Sequence, residues 1–291
     1  MVATSLSYHL HTLFLFTKSD VKTVIPPVIL FAAAAAPSCS LSRLPYAVSW
    51  LWFHALQFAL ANQTLPRSVA EDVLNHPYRP LPAGRVSFQA ARTLRWMMVP
   101  VCLLLSAAYG PRTMLASLVG SLCMLAYNDG GGARSHWLVR NVLNAGLYGA
   151  AEAGTTFVIC QRECDVDKTA CNAIALSAGI LLTTIHTQDY RDAPGDVAAG
   201  RITLPIAYPT LSRVVTAVLL IAWSWGVSWT WRLDDIAAGF VGVLALIVGV
   251  SFVARTDVRA DTISSHLYNV SVAIRGCPSV AHEILARSGF V

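Results

Sequence analysis

Charge is what this chain has little of. Asp, Glu, Lys and Arg make up 13% of its 291 residues, against 55% hydrophobic residues and a mean hydropathy of +0.54. Globular chains carry roughly 25% charged residues, and a soluble fold of this length would still need a charged surface. The shortage therefore points to an integral membrane protein. The formal net charge of +5 is spread between apolar segments with no basic run, which argues against a nucleic-acid partner. The seven cysteines, Cys39, Cys102, Cys123, Cys160, Cys164, Cys171 and Cys277, are odd in number and dispersed, so they are no disulfide framework. Cys160, Cys164 and Cys171 do share one inter-helix loop, where a disulfide or metal site competes with the plainer reading of small apolar side chains. A cleavable signal peptide is not expected either. Leu6 to Phe16 is short, broken by His9 and His11, and lacks a basic flank and a small-residue cleavage site, so the first span is expected to act as the insertion signal.

What the chain does have is long apolar runs. A membrane span needs about 20 such residues, and candidates fall at roughly 23–38, 45–63, 92–110, 112–128, 140–160, 171–188, 208–228 and 236–254. A ninth, at about 266–290, is weaker because it holds His266, Arg275, His282 and Glu283. The expected fold class is all-α: one multi-span transmembrane bundle over residues 1–291, with residues 1–20 as an N-terminal cytoplasmic segment. Small residues within spans, such as Gly146, Gly149 and Gly154, allow close helix approach in lipid. With the N-terminus in the cytoplasm, most Arg and Lys between spans fall on the cytoplasmic side, from Lys18 and Lys22 through Arg79, Arg140 and Arg201 to Arg259. The polar loops described next then face the cytoplasm.

Two acidic clusters stand where apolar segments end. The first is Glu71-Asp72-Val73-Leu74-Asn75-His76-Pro77-Tyr78-Arg79-Pro80, and the second runs Asp189-Tyr190-Arg191-Asp192 to Asp196. Carboxylates beside lipid are costly and so usually functional. Two sets of hard oxygen donors next to arginines point to Mg²⁺ holding a diphosphate. A helix continuing past Gln188 would put Asp189 and Asp192 on one face. Pro194 and Gly195 argue against unbroken helix there and place Asp196 on a turn. Gly200-Arg201 follows with a nearby guanidinium, and Pro77 and Pro80 stiffen a turn that aims Arg79, a residue type suited to bidentate phosphate contact.

A third polar segment, Tyr127-Asn128-Asp129, precedes three glycines and then Arg134 and Arg140. The glycines form a hinge or tight loop and not a phosphate-cradling P-loop, since no Gly-Lys-Ser/Thr follows. Topology-setting charge is the plainer reading of this segment. Lys18 and Lys22, one helical turn apart, can reach a diphosphate or sit among headgroups. Aromatic residues within spans, including Trp50, Trp52, Trp96, Tyr148, Trp223 and Trp225, serve packing or interface anchoring, with some available to face a carbocation. His54 and His186 read as hydrogen-bonded structural residues.

The stretch Asn75-His76-Pro77-Tyr78-Arg79-Pro80-Leu81-Pro82-Ala83-Gly84-Arg85 resembles the end of the first signature of the UbiA superfamily of intramembrane prenyltransferases. Asp189 to Asp196, followed by Gly200 to Pro205, resembles the second signature. The resemblance extends over nearly the whole chain. It implies a nine-helix bundle around a central cavity capped on the cytoplasmic side, with both acidic motifs chelating Mg²⁺ on a prenyl diphosphate. By this resemblance Asp72, Asp189, Asp192 and Asp196 are catalytic metal ligands, and Arg134 or Arg140 supplies a basic contact to the diphosphate. One departure stands out. Where the family pattern has Asn and Asp eight and four places before the position of Asp72, this chain has Thr64 and Ser68. Glu71 is the candidate replacement carboxylate, and the Asn62-Gln63 pair just upstream substitutes only with a local shift. The variant resembles a fungal-type branch that contains membrane terpene cyclases as well as aromatic prenyltransferases.

Three functional expectations follow. The first is a Mg²⁺-dependent sesquiterpene cyclase acting on farnesyl diphosphate, in an endoplasmic-reticulum membrane if the host is eukaryotic. The second is transfer of the prenyl group to an aromatic acceptor. The third is a transporter or lipid-binding protein with cation sites, which leaves the Pro-x-Arg-Pro stretch unexplained.

Overall fold

The computed structural model describes residues 6–65, 67–160, 168–198 and 200–276, and among these no strand occurs. The helices are α1 (Leu6–Ala35), α2 (Leu44–Gln63), α3 (Ser68–Asn75), α4 (Phe88–Ala107), α5 (Pro111–Asn128), α6 (Trp137–Ile159), α7 (Lys168–Thr184), α8 (Asp189–Ala198), the short α9 (Leu204–Ala207), α10 (Pro209–Trp231), α11 (Asp235–Ala254) and α12 (Val258–Gly276). Helix starts follow local chemistry. Pro45, Pro111 and Pro209 occupy first-turn positions, where a missing N–H costs nothing. Ser87, Asp234 and Asp257 accept from the N–H groups of Ala90, Ala237 and Ala260.

The packing differs from that of a soluble protein at the surface, while apolar clusters around Phe16, Trp50 and Phe252 still fill the interior. Large apolar side chains such as Leu104, Val218, Trp225 and Trp229 lie exposed on the outside, while Gln57, Gln63, Asn141, Glu152, Ser177 and Thr216 are buried. Trp225 and Trp229 sit toward the end of α10, the position expected of an interfacial anchor. Helices stand at each of the expected span positions. Among the described residues, four are long and apolar enough by themselves to cross a membrane: Phe88–Ala107, Lys168–Val197, Pro209–Trp231 and Asp235–Ala254. The others carry polar side chains on faces turned into the bundle, such as His54, Gln57 and Gln63 on α2 and Asn141 and Glu152 on α6, which lowers their apolarity.

Two boundaries differ from the sequence reading. α1 begins at Leu6, so most of the expected N-terminal segment is helical and continuous with the first apolar run. The weak ninth segment begins earlier, at Val258; residues 277–290 of it lie outside the described set.

α1 packs against α2, α6 and α12, α5 against α6, and α10 against α11. One clasp closes the C-terminal half. Arg213 on α10 holds both carboxylate oxygens of Asp261 on α12 at 2.7 Å and also donates to the Phe252 carbonyl at 2.7 Å. Asp261 is 2% exposed, so removing it strands a guanidinium. Asp261→Ala is expected to destabilise the detergent-solubilised protein by about 3–5 kcal/mol. Loss of the α12 cap in Asp257→Ala should cost only about 1 kcal/mol. Thermal unfolding of the two variants side by side checks this order.

Candidate active site

α2, α5 and α7 end, and α4, α6 and α10 begin, at one face of the bundle; the two acidic segments are built there. α7 tightens at its end into a 3₁₀ turn, Ile185–Gln188, and helix restarts at Asp189 as α8. This corrects the expectation of a break at Pro194: Pro194 lies inside α8, and Asp196 is helical rather than on a turn. Because the helix restarts at Asp189, the proline removes only one bond of a ten-residue helix.

Gly200 then reverses the chain. Its φ is +67°, its N–H donates to Val197 O at 3.0 Å, and the Arg201 N–H donates to Asp196 O at 2.9 Å. This is a Schellman ending, which needs a glycine in the left-handed region. It brings the Arg201 guanidinium back over α8, where Nη1 donates to Asp196 Oδ1 at 3.2 Å and Nη2 to Glu71 Oε2 at 3.0 Å. Glu71 belongs to α3, in the first acidic segment. One arginine therefore ties the two segments together across 130 residues of sequence.

Two other arginines hold the remaining carboxylates. Arg79 donates to Asp72 Oδ1 at 2.6 Å and to Ser19 Oγ at 3.0 Å. Arg140, in the first turn of α6, donates to Asp189 Oδ1 at 2.9 Å, with Tyr127 and Asp196 within its electrostatic reach. Each contact uses a single carboxylate oxygen. Asp192 is half exposed, its carboxylate 3.6 Å from Arg191 and within electrostatic reach of Asp20, His76 and Asp189.

Burial pushes the Asp72 carboxyl upward from the usual carboxylate range, while Arg79 opposes the shift. Burial, together with Arg79 and Arg191, holds the His76 imidazole down at about 4.

The donors suit a hard divalent ion. Asp72 Oδ2, Gln63 Oε1 and Asn128 Oδ1 are buried acceptor oxygens without a hydrogen-bond partner at this end of the bundle. With the acidic side chains they form an all-oxygen set of the kind Mg²⁺ takes. Among the described residues no three acidic, His or Cys side chains already converge on one ion.

Several expected residues lie elsewhere. Arg134 ends a 3₁₀ turn, Gly132–Arg134, and is exposed, so of the two candidate arginines it is Arg140 that meets the acidic segments. Lys18 and Lys22 are exposed, with Lys18 Nζ 4.5 Å from the centre of the Tyr78 ring. Asn62 is half-buried at the end of α2, and the orphaned amide oxygen of the Asn62-Gln63 pair belongs to Gln63; Tyr127, half-buried at the end of α5, stays with the site beside Arg140. Cys160 is disulfide-bonded and Cys171 is a free, exposed thiol; Cys164 and Cys277 lie outside the described residues.

Asp20 is a site residue that sequence reasoning missed. It faces Arg79, Arg191 and Asp192 and lines the cavity that opens beneath them. The signal was available: on a helix, position 20 lies about 200° round from position 18, so outward lysines imply an inward aspartate. Below Asp20, Arg191 and Gln188, the cavity descends between α1, α2, α5 and α6, past Phe58, Met124 and Tyr148 to Trp50 and Leu51.

The sequence pattern of the UbiA prenyltransferase family matches residues 23–270. The chain belongs to this family. Among its relatives is the fumagillin beta-trans-bergamotene synthase of Aspergillus fumigatus, 30% identical over 88% of this chain and 86% of that protein. Two proteins of Hericium erinaceus are each 28% identical: a diterpene cyclase (85% of this chain, 80% of that one) and a polyprenyl transferase (75% and 76%). The fold is that of a UbiA homolog from Archaeoglobus fulgidus solved with GPP and Mg²⁺, with a TM-score of 0.65 at 15% identity over 90% of this chain and 98% of that one. As a UbiA family member with apolar, outward-facing helices, the chain is an integral membrane protein.

The His76 shift has a checkable consequence. An imidazole held at about 4 when folded and near 6.5 when unfolded binds its proton more readily in the unfolded chain. Its contribution to stability is therefore neutral above pH 6.5 and falls as pH drops from 6.5 toward 4. His76→Gln is expected to flatten the melting-temperature profile over that window relative to wild type. Parallel profiles would show that His76 titrates normally.

Proposed function

We propose that this UbiA-family enzyme ionises a prenyl diphosphate at the paired acidic segments and lets the cation cyclise within the bundle, as a terpene cyclase whose first-choice substrate is farnesyl diphosphate. The observation that carries this is the Arg201 bridge, which makes Glu71 of one segment and Asp196 of the other parts of a single polar rim over an apolar cavity. Two relatives named as a bergamotene synthase and a diterpene cyclase support cyclisation.

In this mechanism Asp72, Asp189, Asp192 and Asp196 would hold the ion, with help from Glu71 and the Asn62-Gln63 pair, whose orphaned oxygen is Gln63 Oε1. Bound Mg²⁺ supplies charge neutralisation that makes diphosphate a better leaving group. Arg79, Arg140 and Arg201 are placed to stabilise the charge that builds on the departing diphosphate. The cavity walls, with Phe58, Met124, Leu147 and Tyr148, surround the hydrocarbon and keep water from the allylic cation. We further propose that the helices form eight spans and a partial ninth, with the acidic rim facing the cytoplasm and, in a eukaryotic host, the endoplasmic reticulum as the membrane.

The competing reading is transfer of the prenyl group to an aromatic acceptor, favoured by the relative named as a polyprenyl transferase. Membranes containing the protein, given farnesyl diphosphate and Mg²⁺ without acceptor, are expected to yield a cyclic hydrocarbon by mass spectrometry. Its formation should stop with EDTA and fall by about 100-fold or more in Asp189→Ala and Asp192→Ala. No hydrocarbon from folded, donor-binding protein would instead favour transfer, and full activity in both alanine variants would refute the site.

A further inference from the structure

We propose that Trp50, seated in a notch made by Gly154, sets the length of prenyl chain that the cavity accepts. This takes as given the proposed ionisation of a prenyl diphosphate, and goes on to say which residue selects the donor. Trp50 lies on α2 thirteen residues before Gln63, about 20 Å below the acidic rim at 1.5 Å per residue. It lines the far end of the cavity while being only 1% exposed.

The floor it makes is fixed on every side. The indole Nε1 donates to Ser106 Oγ at 2.8 Å, and that hydroxyl donates onward to the Cys102 carbonyl at 2.6 Å. His54, one turn nearer the rim, stacks on the indole with ring centres 3.8 Å apart. Its Nδ1 donates to the Trp50 carbonyl at 2.8 Å, so Nε2 accepts from the Ser117 hydroxyl at 2.8 Å. On α6 beside the indole, a Cβ on Gly154 would fall 2.0 Å from Cη2 and 2.6 Å from Cζ2. The ring therefore occupies the space a side chain at position 154 would need.

A rotamer change would break these hydrogen bonds and the stack, leaving polar groups unpaired in an apolar interior. A chain long enough to press on the indole is excluded, and a shorter one leaves the floor uncovered. Length selection by one rigid wall of this kind can discriminate by tenfold or more per added or missing group.

Substitutions on both sides of the notch test this. Purified wild type, Trp50→Ala, Trp50→Phe and Gly154→Ala would be assayed for pyrophosphate release from geranyl, farnesyl and geranylgeranyl diphosphates. The readout is the ratio of kcat/KM between donors within each variant. That ratio is independent of the fraction of protein that folds. Trp50→Ala is expected to raise the geranylgeranyl-to-farnesyl ratio about tenfold or more, with Trp50→Phe intermediate. Gly154→Ala forces the indole out of its seat and is expected to move the ratios as well. Ratios unchanged in the Trp50 variants would overturn the proposal. If Trp50→Ala were inactive on all three donors, the Trp50→Phe ratio would decide alone. Wild type inactive on every donor would refute the ionisation reading itself, a distinct result from unchanged ratios.

Discussion

A carboxylate taken out of water must find a positive partner, and this requirement organises the whole rim. Asp72, Asp189, Asp196 and Glu71 stand where helices leave the apolar zone, and an unpaired charge there would cost several kcal/mol. Arg79, Arg140 and Arg201 meet that need with one oxygen each. The second oxygens stay available, most plainly the buried Asp72 Oδ2. Four carboxylates against three arginines leave the rim net acidic and rich in donor oxygens, which suits a site that must receive a cation together with a diphosphate.

The rest of the bundle serves the contrast between that rim and what lies beneath it. The outer surface is apolar, with its most exposed aromatic residues, Trp225 and Trp229, on α10. The interior keeps polar residues in matched pairs, such as Glu152 with Ser177, His186 with Thr216 and Thr184 with Tyr268. Each pairing lowers the cost of keeping a polar side chain deep in the bundle, although Glu152 Oε2 and His186 Nδ1 stay without a hydrogen-bond partner. Fixed in this way, the walls of the cavity hold a shape, and a reactive hydrocarbon is confined by shape.

Much of this was legible in the chain. Apolar runs located the helices because lipid demands length and hydropathy, and the acidic clusters announced the rim because charge is rare elsewhere. Arg79 and Arg201 were found through the prolines and glycine around them. What sequence spacing misjudged was direction. Lys18 and Lys22 drew notice as a basic pair, while the inward residue of the same turn is Asp20. Pro194 suggested a break that the 3₁₀ turn at Ile185–Gln188 had already made. The Glu71–Arg201 pair could not be read at all, since nothing local links α3 to the turn after α8. The Trp50 notch likewise depends on two helices meeting at Gly154.

The central claim is that the two acidic segments act as one site through Arg201. A double-mutant cycle with Glu71→Gln and Arg201→Gln, read by pyrophosphate release from farnesyl diphosphate at saturating Mg²⁺, tests it most directly. The expected result is strong coupling: the double variant loses little more than Arg201→Gln alone, with an interaction energy of about 1 kcal/mol or more. Losses that add to within about 0.5 kcal/mol would show that the segments work independently and that the bridge is incidental.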